Sequence, residues 1–402
     1  MYYYLGIIVF CILLIYLVIC AYIKIKFAFW SSQPVFHIYD FWYFIRPPGQ
    51  ILYQPPAISK YVNLVNISTT KLENINDTSI TQVCNFIRTH YLQTKYARYN
   101  PSKSNIVGYL EGSNYPSYVS IYKKPKMVFD IKNSENPSMY IDDYISVMTA
   151  RILHLSIKGV PTRPLYYIDH LCVNQANRKK GIAPEMIATT HYNLSRYERK
   201  VNTYLFKKEG ELNAIVPLTT YITYAYDILQ SFPFTPFSNG SFSLIEITKK
   251  NISLFTHFIF QHNKFTCVIV PEISNIYSML KSENMYIYGI IQNKTELVSV
   301  YIFKKNSLWF ENNTVQIIDC IASLSNEFLM PEIFITGFIQ ALHQIYKRDN
   351  TIRRIAIENT SHNSKIIASS TSRNILYQYP SAFFLYNYAC YSHSSNECFF
   401  VY

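Results

Sequence analysis

Arg178, Lys179 and Lys180 stand directly before Gly181, and Pro184 follows within the next turn of chain. Upstream, Tyr166-Tyr-Ile-Asp-His-Leu-Cys-Val173 is apolar and rich in aromatic and β-branched residues, the composition of a buried strand. Pro184 suits the first turn of a helix, where a missing N–H costs nothing. The order is therefore strand, basic turn, helix. A helix N-terminus presents free N–H groups and the positive end of the helix dipole. With basic side chains beside it, such a turn can hold a phosphate or a pyrophosphate. A solvated basic turn between a strand and a helix is the other reading of the same letters.

The elements that would position this turn follow from periodicity. Strands are expected over residues 118–122, 127–131, 141–155 and 165–173, and a helix over 186–197. Residues 80–92 carry an apolar helical period through Val83, Phe86, Ile87 and Tyr91. Further strands are expected over 202–205, 285–291, 296–303, 315–321 and 355–357. Residues 332–346 form an amphipathic pattern with Ile333, Phe338, Ile339 and Leu342 on one stripe. Residues 231–240, with Pro233 and Pro236, read as a linker between two halves of an α+β fold.

Residues 2–23 are uncharged and apolar, long enough to span a bilayer as a helix, which takes about 20 residues. Tyr2, Tyr3 and Tyr4 at one end, with Lys24, Lys26 and Trp30 at the other, fit interfacial anchors. A cleaved signal peptide would carry a basic start, a shorter apolar run and a small-residue cleavage site, and none is visible. The expectation is a retained single-pass transmembrane anchor over residues 1–26. Its lysines follow the span, which puts residues 24–402 on the cytoplasmic side of the membrane.

At 402 residues the chain can bury one large core or two ordinary ones. Its net charge of +12 fits an anionic ligand or surface. The basic residues come in pairs, Lys123-Lys124, Lys207-Lys208, Lys249-Lys250, Lys304-Lys305 and Arg353-Arg354, and read mainly as solvated surface. No zinc-finger or RNA-recognition signature accompanies them, so no nucleic-acid partner is expected. The eight cysteines include no Cys-x-x-Cys pair and no Cys/His cluster with zinc spacing, so reduced thiols and no metal are expected. A nucleophile elbow, a Walker loop, His-Glu-x-x-His and paired catalytic carboxylates are also missing.

Two further stretches carry a resemblance. Phe29-Trp-Ser-Ser-Gln-Pro-Val35 is similar to the opening segment of eukaryotic-type N-myristoyltransferases, and Phe383-Phe-Leu-Tyr-Asn-Tyr-Ala-Cys390 resembles that family's closing motif. Leu171-Cys-Val173 and Ala183-Pro184 also match, and the basic turn resembles the acyl-CoA pyrophosphate loop of GNAT-type acyltransferases. The matches fall in the family's order and bracket residues 27–402. The resemblance implies two tandem GNAT-like halves with mixed sheets flanked by helices. Residues 27–230 would bind acyl-CoA and residues 231–402 would form much of the peptide groove. It also implies an acyl-CoA:protein N-acyltransferase that moves myristoyl from myristoyl-CoA, a substrate rather than a resident cofactor, onto an N-terminal glycine.

By the same resemblance, Phe27, Phe29 and Trp30 pack on the nucleotide and pantetheine end of the acyl-CoA. Leu171, Cys172, Val173, Arg178, Lys179, Lys180, Gly181, Ile182, Ala183 and Pro184 complete that site. The backbone N–H groups of His170 and Leu171 become an oxyanion hole, fixed donors where negative charge develops on the thioester. The family has Phe at the place of His170, whose side chain reads either as a new acid/base group or as a packed strand end. The carboxylate of Tyr402 is the implied general base, which must reach the amine's proton at hydrogen-bond distance. Two departures fall on the peptide side. His90-Tyr-Leu-Gln-Thr-Lys95 lacks the family's acidic run, and Ile222-Thr-Tyr-Ala-Tyr226 replaces its Arg-Tyr-Trp-His-Arg cluster. They keep open a catalytically idle relative that binds lipid or acylated partners, and a GNAT enzyme using a shorter acyl-CoA.

Overall fold

The computed structural model describes residues 2–129, 138–210, 214–238, 240–262, 264–311, 313–370 and 374–402. Its first element is the helix Tyr2–Lys26, in which Ile23 is the one buried residue. Among the described residues this is the one helix long and apolar enough to cross a membrane.

The rest is organised by a 15-stranded mixed sheet. Along its main path Cys398–Phe400 pairs with Cys267–Val270, and that strand pairs with Ser138–Ile157. Then come Val160–Val173, Tyr204–Glu209, Tyr377–Tyr386, Thr219–Asp227, Ile352–Glu358, Val315–Ser325, Glu296–Phe310, Met285–Gln292 and Phe242–Ile247. Strands from both sides of residue 230 alternate, because Tyr377–Tyr386 is inserted between Tyr204–Glu209 and Thr219–Asp227. The two halves thus share one sheet, with a core on either side of it.

One local feature of the sheet makes the site. Val160–Val173 runs parallel to Tyr204–Glu209, but the pairing consists of Tyr166 with Tyr204 and Tyr167 with Leu205. Beyond Tyr167 the two strands splay. Ile168, Asp169, Cys172 and Val173 keep their partners on the other side, in Ser138–Ile157. A gap therefore opens in the middle of the sheet, and helices cover it. Asp77–His90 starts at Asn76, whose side chain accepts the Ser79 N–H. Lys103–Leu110 starts at a Ser102–Asn105 capping box. Away from the gap, Pro331–Arg348 packs on the strands of the other half and buries Ile333, Phe338, Ile339 and Leu342, the stripe its periodicity defines.

Most expected elements are longer in the structure, and three differ in kind or position. The expected strands 118–122 and 127–131 are one strand, Tyr118–Phe129, with residues 130 and 131 outside the described chain. It passes through Pro125, which is tolerated because Ile67–Lys71 pairs with residues 118–122 alone, leaving Pro125 a partner on one side. The expected strand 202–205 is instead Tyr204–Glu209, whose Lys207, Lys208 and Glu209 disguise it as a turn. The helix expected over 80–92 is displaced to Asp77–His90, and Leu92 beyond it has φ 46°.

Candidate active site

The basic turn folds as its letters suggest. Asn174 accepts the Asn177 N–H at 3.0 Å and shapes a short turn. Gly181 then takes φ +80°, a conformation that a Cβ would strain, and starts the helix Ile182–Tyr197. Arg178 is exposed but engaged: its Nε donates to the Val173 carbonyl at 3.2 Å and its Nη2 to the His90 carbonyl at 2.9 Å. It ties the turn to the end of Asp77–His90 and also lines the cavity there. Lys179 and Lys180 stay exposed, Lys180 donating to Asn177 Oδ1 at 3.2 Å. A cavity of ≈ 400 Å³ here is lined by Leu171, Cys172, Val173, Lys179 and the helix start from Ile182 to Pro184. Of the residues expected at the turn, Lys180 alone does not line it.

The gap between the splayed strands holds a second cavity, of ≈ 350 Å³. Trp30, Met148, Leu171, Ile187, Phe206 and Tyr386 give it apolar walls. Trp30 stacks on Phe206 with ring centroids 5.5 Å apart. Phe29 packs behind it, against Trp30 and Tyr61, while Phe27 lies beside Lys26, so neither lines this cavity. The structure also explains why motifs more than 300 residues apart belong together. The Tyr386 hydroxyl donates to Gln33 Oε1 at 2.7 Å, and the Asn387 N–H donates to the Pro34 carbonyl at 2.7 Å. His191 reaches the same hydroxyl with Nδ1 at 3.2 Å, and burial pushes its imidazole down to about 3, so it is neutral.

At the end of the gap the central strand carries a bulge. The register with Ser138–Ile157 shifts between Thr149 and Val147, so His170 and Leu171 together oppose Met148. His170 has φ 50° and is buried. Asp169 holds this conformation: its Oδ1 accepts the His170 N–H at 2.7 Å and the Tyr91 hydroxyl at 3.1 Å, and its Oδ2 accepts the Tyr109 hydroxyl at 2.9 Å. Burial alone would raise the Asp169 carboxyl, but the charges of His170 and Lys304 and these donors bring it down to about 2. The His170 ring is committed at both nitrogens. Thr149 Oγ1 donates to the Asp169 carbonyl, so it accepts from His170 Nδ1 at 2.9 Å, and the Tyr99 hydroxyl meets Nε2 at 3.1 Å. Burial lowers its pKa further. The imidazole is a packed strand-end wedge, with no free nitrogen for acid/base work.

A third cavity, of ≈ 390 Å³, opens on the far side of Asp169 and His170. Its walls include Tyr99, Tyr109, Tyr167, Lys207, Lys304 and Tyr402. Tyr402 is buried, edge-on to Tyr167 at 5.6 Å and to Phe383 at 5.0 Å. Its hydroxyl donates to Glu358, which also takes Lys207 Nζ at 2.8 Å and the Tyr221 hydroxyl at 3.1 Å. Burial opposes the charge on Lys207, but Glu358 outweighs it and holds the ammonium well above its ordinary range. Tyr91, Ile168, Asp169, His170, Lys207 and Lys208 face both this cavity and the apolar one. Tyr91 and Leu171 connect the apolar cavity to the basic one.

No protein-family model matches the chain, and no curated protein matches it in sequence. Solved structures do. A crystal structure of Saccharomyces cerevisiae N-myristoyltransferase with bound myristoyl-CoA superposes with a TM-score of 0.68, over 92% of this chain and 94% of that one, at 14% sequence identity. The same yeast enzyme with myristoyl-CoA and inhibitors gives 0.67 over 91% of each chain. A tandem GNAT protein from the clavulanic acid biosynthesis pathway gives 0.51 at 12% identity, over 81% of this chain and 100% of that one. The chain has the fold of the N-myristoyltransferases. At 14% identity, that fold is preserved here by patterning and by a few joined motifs rather than by the bulk of its side chains.

Sequence reasoning about this N-myristoyltransferase fold missed several residues that build the junction. Lys207-Lys208 and Lys304-Lys305 were expected on solvated surface, whereas all four line the third cavity. They sit on sheet strands, where alternate residues face inward. Asp169 was overlooked although a carboxylate inside the apolar run Tyr166 to Val173 is itself a signal. The phenols Tyr91, Tyr99 and Tyr109 leave no such trace in a chain with 37 tyrosines.

Proposed function

We propose that the chain is an acyl-CoA:protein N-acyltransferase that carries myristoyl from myristoyl-CoA to the N-terminal glycine of a protein. The observation behind this reading is the junction at residues 168–171, where a basic, an apolar and a polar cavity meet. CoA phosphates suit the first, against Lys179, Gly181 and the start of Ile182–Tyr197. An acyl chain suits the second, between Trp30, Phe206 and Tyr386. The thioester then falls at residues 169–171, and the glycine amine arrives through the third. The Tyr402 carboxylate takes the amine's proton, and the nitrogen attacks the carbonyl carbon. The Leu171 and His170 N–H groups receive the oxyanion, the C–S bond breaks, and the departing CoA thiolate takes the second proton that the nitrogen loses as it becomes an amide. The helix Tyr2–Lys26 anchors this domain to the cytoplasmic face of a membrane, where acyl-CoA is at hand.

A second reading, an idle relative that binds acyl-CoA or acylated partners, has one observation in its favour. The His170 N–H is already bonded to Asp169, so it must exchange acceptors to serve an oxyanion. The deciding experiment incubates the full chain in detergent with myristoyl-CoA and glycine-initiated peptides and reads the peptides' mass. A shift that needs the free glycine amine supports the transferase. Tight acyl-CoA binding without any shift supports the idle relative.

Two variants divide the assignment further. Lys179→Ala with Lys180→Ala removes two of the turn's three exposed charges and is expected to weaken acyl-CoA binding at least about tenfold, more so at low salt. Unchanged binding by calorimetry refutes the phosphate assignment. Appending two residues after Tyr402 moves the carboxylate and is expected to slow transfer on the order of a hundredfold, the usual contribution of a general base. Acyl-CoA affinity measured on the same protein should hold. A full rate removes that carboxylate from the mechanism.

A further inference from the structure

Among the described residues, the third cavity contains one ammonium with no hydrogen bond and no ion pair, answered only through space by Asp169 and Asp319. Lys207 is matched by Glu358 and Glu209, at 2.8 and 3.0 Å. Lys305 is matched by Asp349 at 3.1 Å. Asp169 already takes three hydrogen bonds and acts on Lys304 only through space, without an ion pair between them. Lys304 has no hydrogen bond and no carboxylate within ion-pair distance among the described residues. Its ammonium lies instead over two aromatic faces, 4.4 Å from the Tyr402 ring centroid and 5.1 Å from that of Tyr109. Asp319, its cross-strand neighbour, is engaged by Asn306 at 2.9 Å, and burial pushes that carboxyl up to about 7, which weakens it as a counter-charge. Behind Tyr109 sits a second cation. Arg151 is fully buried, 4.1 Å from that ring, bonded to the neutral Asn275, with Nε and Nη2 unpartnered.

A half-buried ammonium without a partner is costly, and burial already pushes Lys304 down to about 8. The cost is removed when an anion enters the cavity and shares the ammonium. We infer that the third cavity selects acceptors bearing a carboxylate side chain shortly after the N-terminal glycine, with Lys304 as its counter-charge. This rests on the transferase reading for the word acceptor, but the charge selection is a property of the cavity itself. The ammonium on its flexible stem can leave the aromatic faces to meet an aspartate or glutamate, and the same site repels a lysine or arginine there.

The test uses the full chain loaded with myristoyl-CoA. Glycine-initiated peptides carry Asp, Asn or Lys at each of the next five positions in turn, and both the dissociation constant and kcat/KM are measured. At one position Asp should be favoured over Asn at least about tenfold, the size of a charge-assisted hydrogen bond, and Lys should be the poorest. Lys304→Met should bring the Asp-to-Asn ratio close to one, Lys304→Arg should keep it well above one, and Lys304→Glu should favour Lys peptides. Equal use of Asp and Asn by the unaltered protein overturns the inference. So does a Lys304→Met variant that loses all peptides alike, as a general base would. If no peptide is acylated but Asp peptides bind in a Lys304-dependent way, the transferase reading fails and the charge selection stands. If peptides are acylated without regard to charge, the reverse holds. Failure of every peptide to bind overturns the inference outright.

Discussion

Asp169→Ala is expected to lower kcat about a hundredfold while leaving acyl-CoA affinity nearly untouched. The carboxylate gathers donors from three directions: the Tyr91 hydroxyl beyond Asp77–His90, the Tyr109 hydroxyl on Lys103–Leu110, and the His170 N–H of its own strand. Without it, His170 at φ 50° loses the bond to its backbone N–H, and two phenols between the cavities lose their acceptor. The edge at residues 168–171 then relaxes, and a misplacement of about 1 Å at a reacting centre costs on the order of a hundredfold. The CoA turn is tied down separately, by Arg178, so binding should survive. Asp169→Asn keeps an oxygen for the His170 N–H and should fall between the two. A variant that loses acyl-CoA affinity as fast as it loses kcat would mean that Asp169 supports the whole fold rather than the junction. The carboxylate also leaves a signature in acid. Its folded-state pKa, about 2, lies below the ordinary 3.8, so its contribution to stability is complete above about pH 4. That contribution disappears as pH falls through about 2, and the Asp169→Asn protein should lack this step.

The strand-turn-helix around Gly181 was legible because each part obeys a local rule. An apolar β-branched run, a glycine with positive φ and a proline in the first helical turn each specify their own conformation. The amphipathic helix Pro331–Arg348 was legible for the same reason. The splay between Val160–Val173 and Tyr204–Glu209 was not, because it lies in the pairing of strands and not in either strand's letters. The insertion of Tyr377–Tyr386 between Tyr204–Glu209 and Thr219–Asp227 is equally non-local. Gln33 and Tyr386 could be named from motif resemblance, but their hydrogen bond could not. Charged residues misled the reading in a consistent way. Lys207 and Lys304 were assigned to water because lysine is seldom buried, and this site uses that exception.

Glu358→Ala should be the most destabilising single change in the molecule's interior, by on the order of 3–5 kcal/mol. Glu358 is 1% exposed and collects Lys207 and Tyr221 from two separate strands, and Tyr402 beyond a third. Its removal leaves the Lys207 ammonium buried with Glu209 as its remaining partner, and that carboxylate is half exposed. It also strips the acceptor from two buried phenols, which adds a desolvation penalty to each. The loss would appear as a lower denaturant midpoint with an unchanged slope. The informative control is the pair Lys207→Met with Glu358→Leu. If the penalty arises from an uncompensated charge, replacing both partners with apolar groups of similar volume should recover much of the lost stability, and the double variant should be more stable than Glu358→Ala alone. If the double variant is instead worse, the network's value lies in orienting Tyr402 and Tyr221. That would join the stability of the sheet's centre to the geometry of the acceptor cavity, because Tyr402 forms part of that cavity's wall.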